Sequence, residues 1–212
     1  MTTRPSRRSP DQRVGLLGGS FNPAHEGHLH ISLLALDHLG LDELWWLVSP
    51  QNPLKPAHGM AAFEARMAGA RDQADDPRIV VSDMERRLGT RYTADTLRAL
   101  AGRFPRIGFV WVMGADNLTE ISAWWNWTAI FETVPIAVFD RPTYSYGALE
   151  SGAARRYASS RVDQRQARGL AGLEPPAWVF VSDKLHAASA TAIREERDGD
   201  KSQTSVTKGI IT

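Results

Sequence analysis

Short apolar runs alternate along this chain with longer stretches in which apolar positions recur at helical spacing. Runs at 14–17, 44–48, 79–81, 107–112, 136–139 and 178–181 read as strands. Two of them, inside "IGFVWVMG" and "PIAVFD", are apolar at nearly every position, as strands covered on both faces should be. Helical patterns occupy 27–39, 60–73, 93–101, 125–132, part of 146–169, and 189–196. Strands separated by helices predict a parallel sheet: a single doubly wound, mostly parallel, Rossmann-like α/β domain over 13–197. No internal repeat and no dividing linker interrupts it. Residues 1–12 read as a disordered basic tail and 198–212 as a polar one.

In such a sheet the ligand lies beyond the carboxyl ends of the strands. The loops to search are therefore 18–26, 49–59, 82–93, 113–117, 140–145 and 182–188. The first carries the densest chemistry, "GGSFNPAHEGHLHIS" at 18–32. Gly18 and Gly19 allow a tight turn and close backbone approach, and Asn22-Pro23 is a turn-forming pair. Gly27 is expected to open the helix, with His28 in its first turn and free N–H groups that attract phosphate. His25 and His28, three apart, can turn toward one spot. The bland alternative has one histidine capping the helix and the other on the surface; His30 reads as ordinary. A second candidate phosphate site is "HAASATAIREE" at 186–196, where Ser189 and Thr191 precede Arg194. Taken alone, that segment is as well explained by capping.

Composition narrows the classes. The net charge of +1 over 212 residues gives no electrostatic platform for nucleic acid. Zero cysteines remove disulfides, thiolate nucleophiles and Cys-based zinc sites, and are compatible with the reducing cytoplasm expected for this chain. No apolar stretch approaches the roughly 20 residues of a membrane span. Neither a G-x-G-x-x-G dinucleotide fingerprint nor a Walker P-loop is present, so His-x-Gly-His is a different way of handling phosphate. No metal site is expected.

With these motifs in place, the sequence resembles the nucleotidyltransferase superfamily that carries His-x-Gly-His and Ile-Ser-x-Thr-x-x-Arg. More narrowly it is similar to the bacterial nicotinate-nucleotide adenylyltransferases. "GGSFNPAHEGHL", "RYTADTL" at 91–97, "GADNLTEISAWWNWTAIF" at 114–131 and "DRPTY" at 140–144 carry the likeness, which runs from about Val14 to Arg194. Ala188 stands where the family has Ile, and the tail "RDGDKSQTSVTKGIIT" lacks the family's apolar closing helix.

The resemblance implies adenylyl transfer from ATP to nicotinate mononucleotide, giving deamido-NAD and pyrophosphate. The attacking phosphate is already largely dianionic, so it needs alignment and charge compensation rather than a general base. His25 and His28 are the implied catalytic donors. Gly18, Gly19, Ser20, Phe21, Lys55, Ser189, Thr191 and Arg194 are implied for ATP and its phosphates. Tyr92, Thr93, Asp116, Trp124 and Arg141 are implied for the mononucleotide, with Trp124 stacking on its pyridine ring. Asp116 also reads as an N-cap, and each tryptophan of "AWWNW" as core. Mg²⁺ is expected to arrive with ATP. The oligomeric state stays open, a homo-oligomer included. Rival readings are a phosphopantetheine adenylyltransferase, a class I aminoacyl-tRNA synthetase, for whose tRNA recognition the chain is too short, and a non-catalytic nucleotide-binding module.

Overall fold

A computed structural model describes residues 9–50, 59–140 and 145–182 of the chain. Seven strands form one sheet in the order β3-β2-β1-β4-β5-β7-β6, and every neighbouring pair is parallel. The strands are β1 (Gln12–Gly19), β2 (Glu43–Val48), β3 (Ile79–Ser82), β4 (Ile107–Gly114), β5 (Ile136–Phe139), β6 (Arg161–Val162) and β7 (Trp178–Val181). The helices are α1 (Glu26–Leu39), α2 (Phe63–Gln73), α3 (Met84–Leu88), α4 (Thr93–Arg103), α5 (Ala115–Glu120), α6 (Trp127–Thr133), α7 (Ser145–Leu149) and α8 (Gly152–Arg156). All six expected strands are present, and the doubly wound parallel sheet is the architecture the alternation predicted.

Alternate residues of the central strands feed two cores, one on each face of the sheet. Val14, Leu16, Phe109, Trp111 and Met113 pack with Leu97 and Leu100 of α4, Leu118 of α5 and Ile130 of α6. Leu17, Val110 and Val112 pack on the other face with Ile31, Ala35 and Leu39 of α1 and Met67 of α2. Burying both faces leaves ligand access to the strand ends. The strand order reverses between β1 and β4, so their carboxyl ends, Gly19 and Gly114, flank the switch point.

Several boundaries differ from expectation. The expected 82–93 loop contains α3, a single turn too short to print a period, closed by Gly89 at φ 66°. The helix expected over 125–132 starts at Trp127, because Asn126 takes a left-handed φ of 49° and caps it. The helical pattern within 146–169 breaks into α7, α8 and 3₁₀ turns at Ala158–Ser160 and Gln164–Gly172. β6, two residues long, left no apolar signal. Packing groups Met1–Val181 as one compact unit and Ser182–Thr212 as a second. Of the second unit, only Ser182 lies among the described residues, so the expected 189–196 helix and both expected tails fall outside them, save residues 9–12.

Candidate active site at the carboxyl ends of the strands

The His-x-Gly-His loop explains its own spacing once the rings are placed. His25 is the N-cap of α1, in extended conformation, and its Nδ1 accepts the Gly27 amide at 3.1 Å. The His28 Nδ1 accepts the His25 amide at 3.3 Å, closing a capping box built from two imidazoles. A Cβ on Gly27 would stand 3.0 Å from the His25 ring, so the intervening glycine makes room for the ring folded back over it. The two rings lie 3.9 Å apart, centroid to centroid. Both histidines therefore take part in the capping that the bland alternative gave to one of them alone.

This geometry fixes chemistry. A neutral imidazole that accepts at Nδ1 carries its proton at Nε2. In that neutral form each ring turns its Nε2 to the side away from its capping bond. The amides expected to be free at the helix start are partly used: Gly27's goes to the His25 ring and His28's to the His25 carbonyl at 2.8 Å. The donors offered here come from the rings.

Beneath them the loop is anchored in the core. Phe21, 1% exposed and at φ 46°, lies 4.7 Å from the His28 ring and stacks on Trp46 at 5.0 Å. What Phe21 can offer a ligand is therefore backbone. The Trp46 indole N–H donates to Ser32 Oγ at 2.7 Å, and that hydroxyl donates to the His28 carbonyl at 2.6 Å. Gly18 has a different reason from the expected one: a Cβ there would meet Trp111 Cη2 at 2.4 Å. The position is filled by an indole from β4, so Gly18 is a packing glycine. The sharp turn belongs to Phe21.

Arg66, on α2 and 3% exposed, is a central residue that the sequence pattern did not reveal. Its guanidinium donates to the carbonyls of Ser20 (2.6 Å), Ser49 (2.8 Å) and Pro50 (2.9 Å), and its Nε to that of Ala61 (3.1 Å). Burial pulls its pKa down, and Glu64 opposes this. A charge inside helical periodicity reads as solvated, and only its carbonyl partners show otherwise. Asn22 adds a second tie, donating to the Gly59 carbonyl and accepting from the Ala61 amide, each at 3.1 Å.

The other wall is aromatic. Tyr92 is the N-cap of α4, and no side chain caps that helix. Its ring lies 5.6 Å from that of Trp125, which is 62% exposed. Trp124 is half-buried against the core, whereas Trp127 packs edge-on against Phe131 and Tyr157. The three tryptophans thus divide into two that are half-buried against the core, Trp124 and Trp127, and one that is exposed, Trp125. Asp116 lies in the first turn of α5, whose N-cap is Gly114, so Asp116 is not the cap. Its Oδ1 is buried. Lys55, Arg141, Ser189, Thr191 and Arg194 lie outside the described residues. Among the described residues no three His, Asp or Glu side chains gather as a metal cage, and no helix is long and apolar enough to cross a membrane.

The family model described as cytidylyltransferase-like matches residues 16–196. The chain is 55% identical over 187 residues to a protein of Parvibaculum lavamentivorans named "Probable nicotinate-nucleotide adenylyltransferase", covering 88% of this chain and 93% of that one. The chain belongs to the nicotinate-nucleotide adenylyltransferases of the cytidylyltransferase-like family. A Gluconacetobacter diazotrophicus member of the same name is 50% identical over 86% of this chain and 85% of its own. Among solved structures, Plasmodium falciparum nicotinic acid mononucleotide adenylyltransferase complexed with NaAD superposes with a TM-score of 0.62. It is 14% identical and covers 82% of this chain and 76% of its own, a likeness of fold. Family membership agrees with the geometry at the β1–β4 switch point.

Proposed function

We infer that the chain transfers the adenylyl group of ATP to nicotinate mononucleotide, giving nicotinate adenine dinucleotide and pyrophosphate, a step of NAD biosynthesis. The observation that carries this reading is the two-histidine capping box at the switch point, in a chain 55% identical to a relative bearing that activity's name. A phosphate oxygen of the mononucleotide attacks the α-phosphorus of ATP. A new phosphorus–oxygen bond forms while the bond to the bridging oxygen breaks, and pyrophosphate leaves with the electron pair. No proton must be removed from a dianionic nucleophile. The work left to the protein is to align the two phosphates and to offset charge as it develops.

His25 and His28 supply Nε2–H donors to the phosphates around the reacting phosphorus, with the backbone of Gly18 to Phe21 lining the approach. On the acceptor side, the uncapped amides at the start of α4, beside Tyr92 and Thr93, suit a carboxylate, which accepts on both oxygens. Trp124 offers a flat face to the pyridine ring, and Asp116 accepts from a ribose hydroxyl. The family resemblance assigns Lys55, Ser189, Thr191 and Arg194 to the ATP phosphates and Arg141 to the acceptor phosphate. Mg²⁺ belongs to this reading as a companion of ATP, held by its phosphates and by water.

Pyrophosphate release from ATP, measured with nicotinate mononucleotide, its amide analogue and phosphopantetheine in parallel, tests the reading. Release is expected with the first and far less with the others. Release with phosphopantetheine alone, or with none of the three, overturns it.

A further inference from the structure

We propose that Trp46 is a positioning residue of this site: from β2 it fixes His28 in two places, under the ring through Phe21 and at the main chain through Ser32. The inference rests on the adenylyl-transfer reading for the work that His28 does. Trp46 and Ser32 are each 0% exposed. Ser32 is a polar residue set among Ile31, Ala35, Leu36 and Leu39 on the buried side of α1, where a hydroxyl must find partners. Chemistry settles the direction of its hydrogen bonds. An indole N–H can only donate, so Ser32 Oγ accepts from Trp46 at 2.7 Å. That leaves the hydroxyl proton for the His28 carbonyl, 2.6 Å away. Indole, hydroxyl and carbonyl form a one-way chain from β2 to the first turn of α1.

The same indole supports the ring. It stacks on Phe21 at 5.0 Å and 20°, Phe21 lies 4.7 Å from the His28 ring, and the indole itself is 6.0 Å from that ring. Phe21 has little room to yield, since a Cβ on Gly19 would stand 3.3 Å from it. Fully buried, Trp46 meets no substrate and acts through His28. Removing the Ser32 hydroxyl strands a buried indole donor, and removing the indole N–H frees the hydroxyl to turn from the carbonyl. Either change loosens one link, so the two residues act as a couple. A donor aimed at developing charge must be in place beforehand, so its displacement shows in kcat more than in ground-state binding. A merely structural role would lower stability and leave kcat alone.

The test is a cycle of two substitutions. Trp46→Phe keeps an aromatic ring against Phe21 and loses the N–H, whereas Ser32→Ala loses the hydroxyl and leaves the ring stack its atoms. Each should lower kcat about tenfold, with KM for ATP and for nicotinate mononucleotide changed by less than about twofold. The double variant should fall no further than the lower single. A normal kcat in Ser32→Ala, a rise in both KM values, or losses that multiply to about a hundredfold in the double variant overturns the proposal. Ser32→Ala alone decides if Trp46→Phe fails to fold. The histidine ring resonances need no substrate and separate this idea from the activity reading. His28 is one of six histidines, and the Hε1 resonance lost in His28→Ala identifies it. Ser32 holds the His28 main chain, so a shift of that resonance in Ser32→Ala reports a displaced ring and is the expected result. An unmoved resonance overturns the inference whatever the enzyme turns over.

Discussion

The two walls of this site are built on opposite plans. The histidine wall is determined from below: each ring is fixed by a backbone amide, backed by Phe21 and Trp46, and anchored through Ser32 and Arg66. The acceptor wall is open, with an uncapped helix start and a tryptophan exposed over most of its surface. The difference matches the demands on each side. A developing charge at phosphorus needs donors already in position, because their reorganisation would otherwise add to the barrier. A ring and a carboxylate arriving from solvent need a face and free amides, whose order can be completed by the ligand.

Three substitutions probe that contrast. The largest effect is expected from His28→Ala, which removes a preorganised donor and the acceptor for the His25 amide. kcat should fall about 10²–10³ fold with the fold intact, and a loss under about fivefold would place the chemistry elsewhere. Gly27→Ala should be milder. The added Cβ reaches the His25 ring at 3.0 Å, so the ring must shift while its nitrogen survives. A kcat about tenfold lower, with little change in melting temperature, is the expected outcome; a normal kcat would mean that the ring's placement is not critical. Trp125→Ala should do least, raising KM for the acceptor a few fold through loss of its contact with Tyr92 and leaving kcat and KM for ATP unchanged. An equal rise in both KM values would show that the walls are not separate.

The same contrast sorts what was legible in the sequence. Strands such as β4 and β5 declare themselves because burial on both faces makes them apolar throughout. The histidine loop was legible because its turn residues and imidazoles are dense and local. Its logic was not: Gly18 answers to Trp111, more than ninety positions on, and Gly27 answers to a ring conformation. Arg66 was missed for a related reason. In sequence a charged residue reads as solvated, and only tertiary contacts show a guanidinium bonded to four carbonyls. The tryptophans carried a composition signal without an address, part of which exposure supplies: Trp124 and Trp127 are half-buried against the core and Trp125 is rim.

The central claim is that this site joins ATP to a nicotinate, whose carboxylate meets amides that can only donate. A carboxamide turned into the same place sets its NH₂ against one of those donors, leaving a buried group unpaired at a cost of about 1–3 kcal/mol, with a smaller helix-dipole preference for the anion besides. The most direct measurement is kcat/KM for nicotinate mononucleotide and for its amide in one pyrophosphate-release assay. The account predicts an advantage for the acid of at least about tenfold. Parity, or preference for the amide, would contradict it.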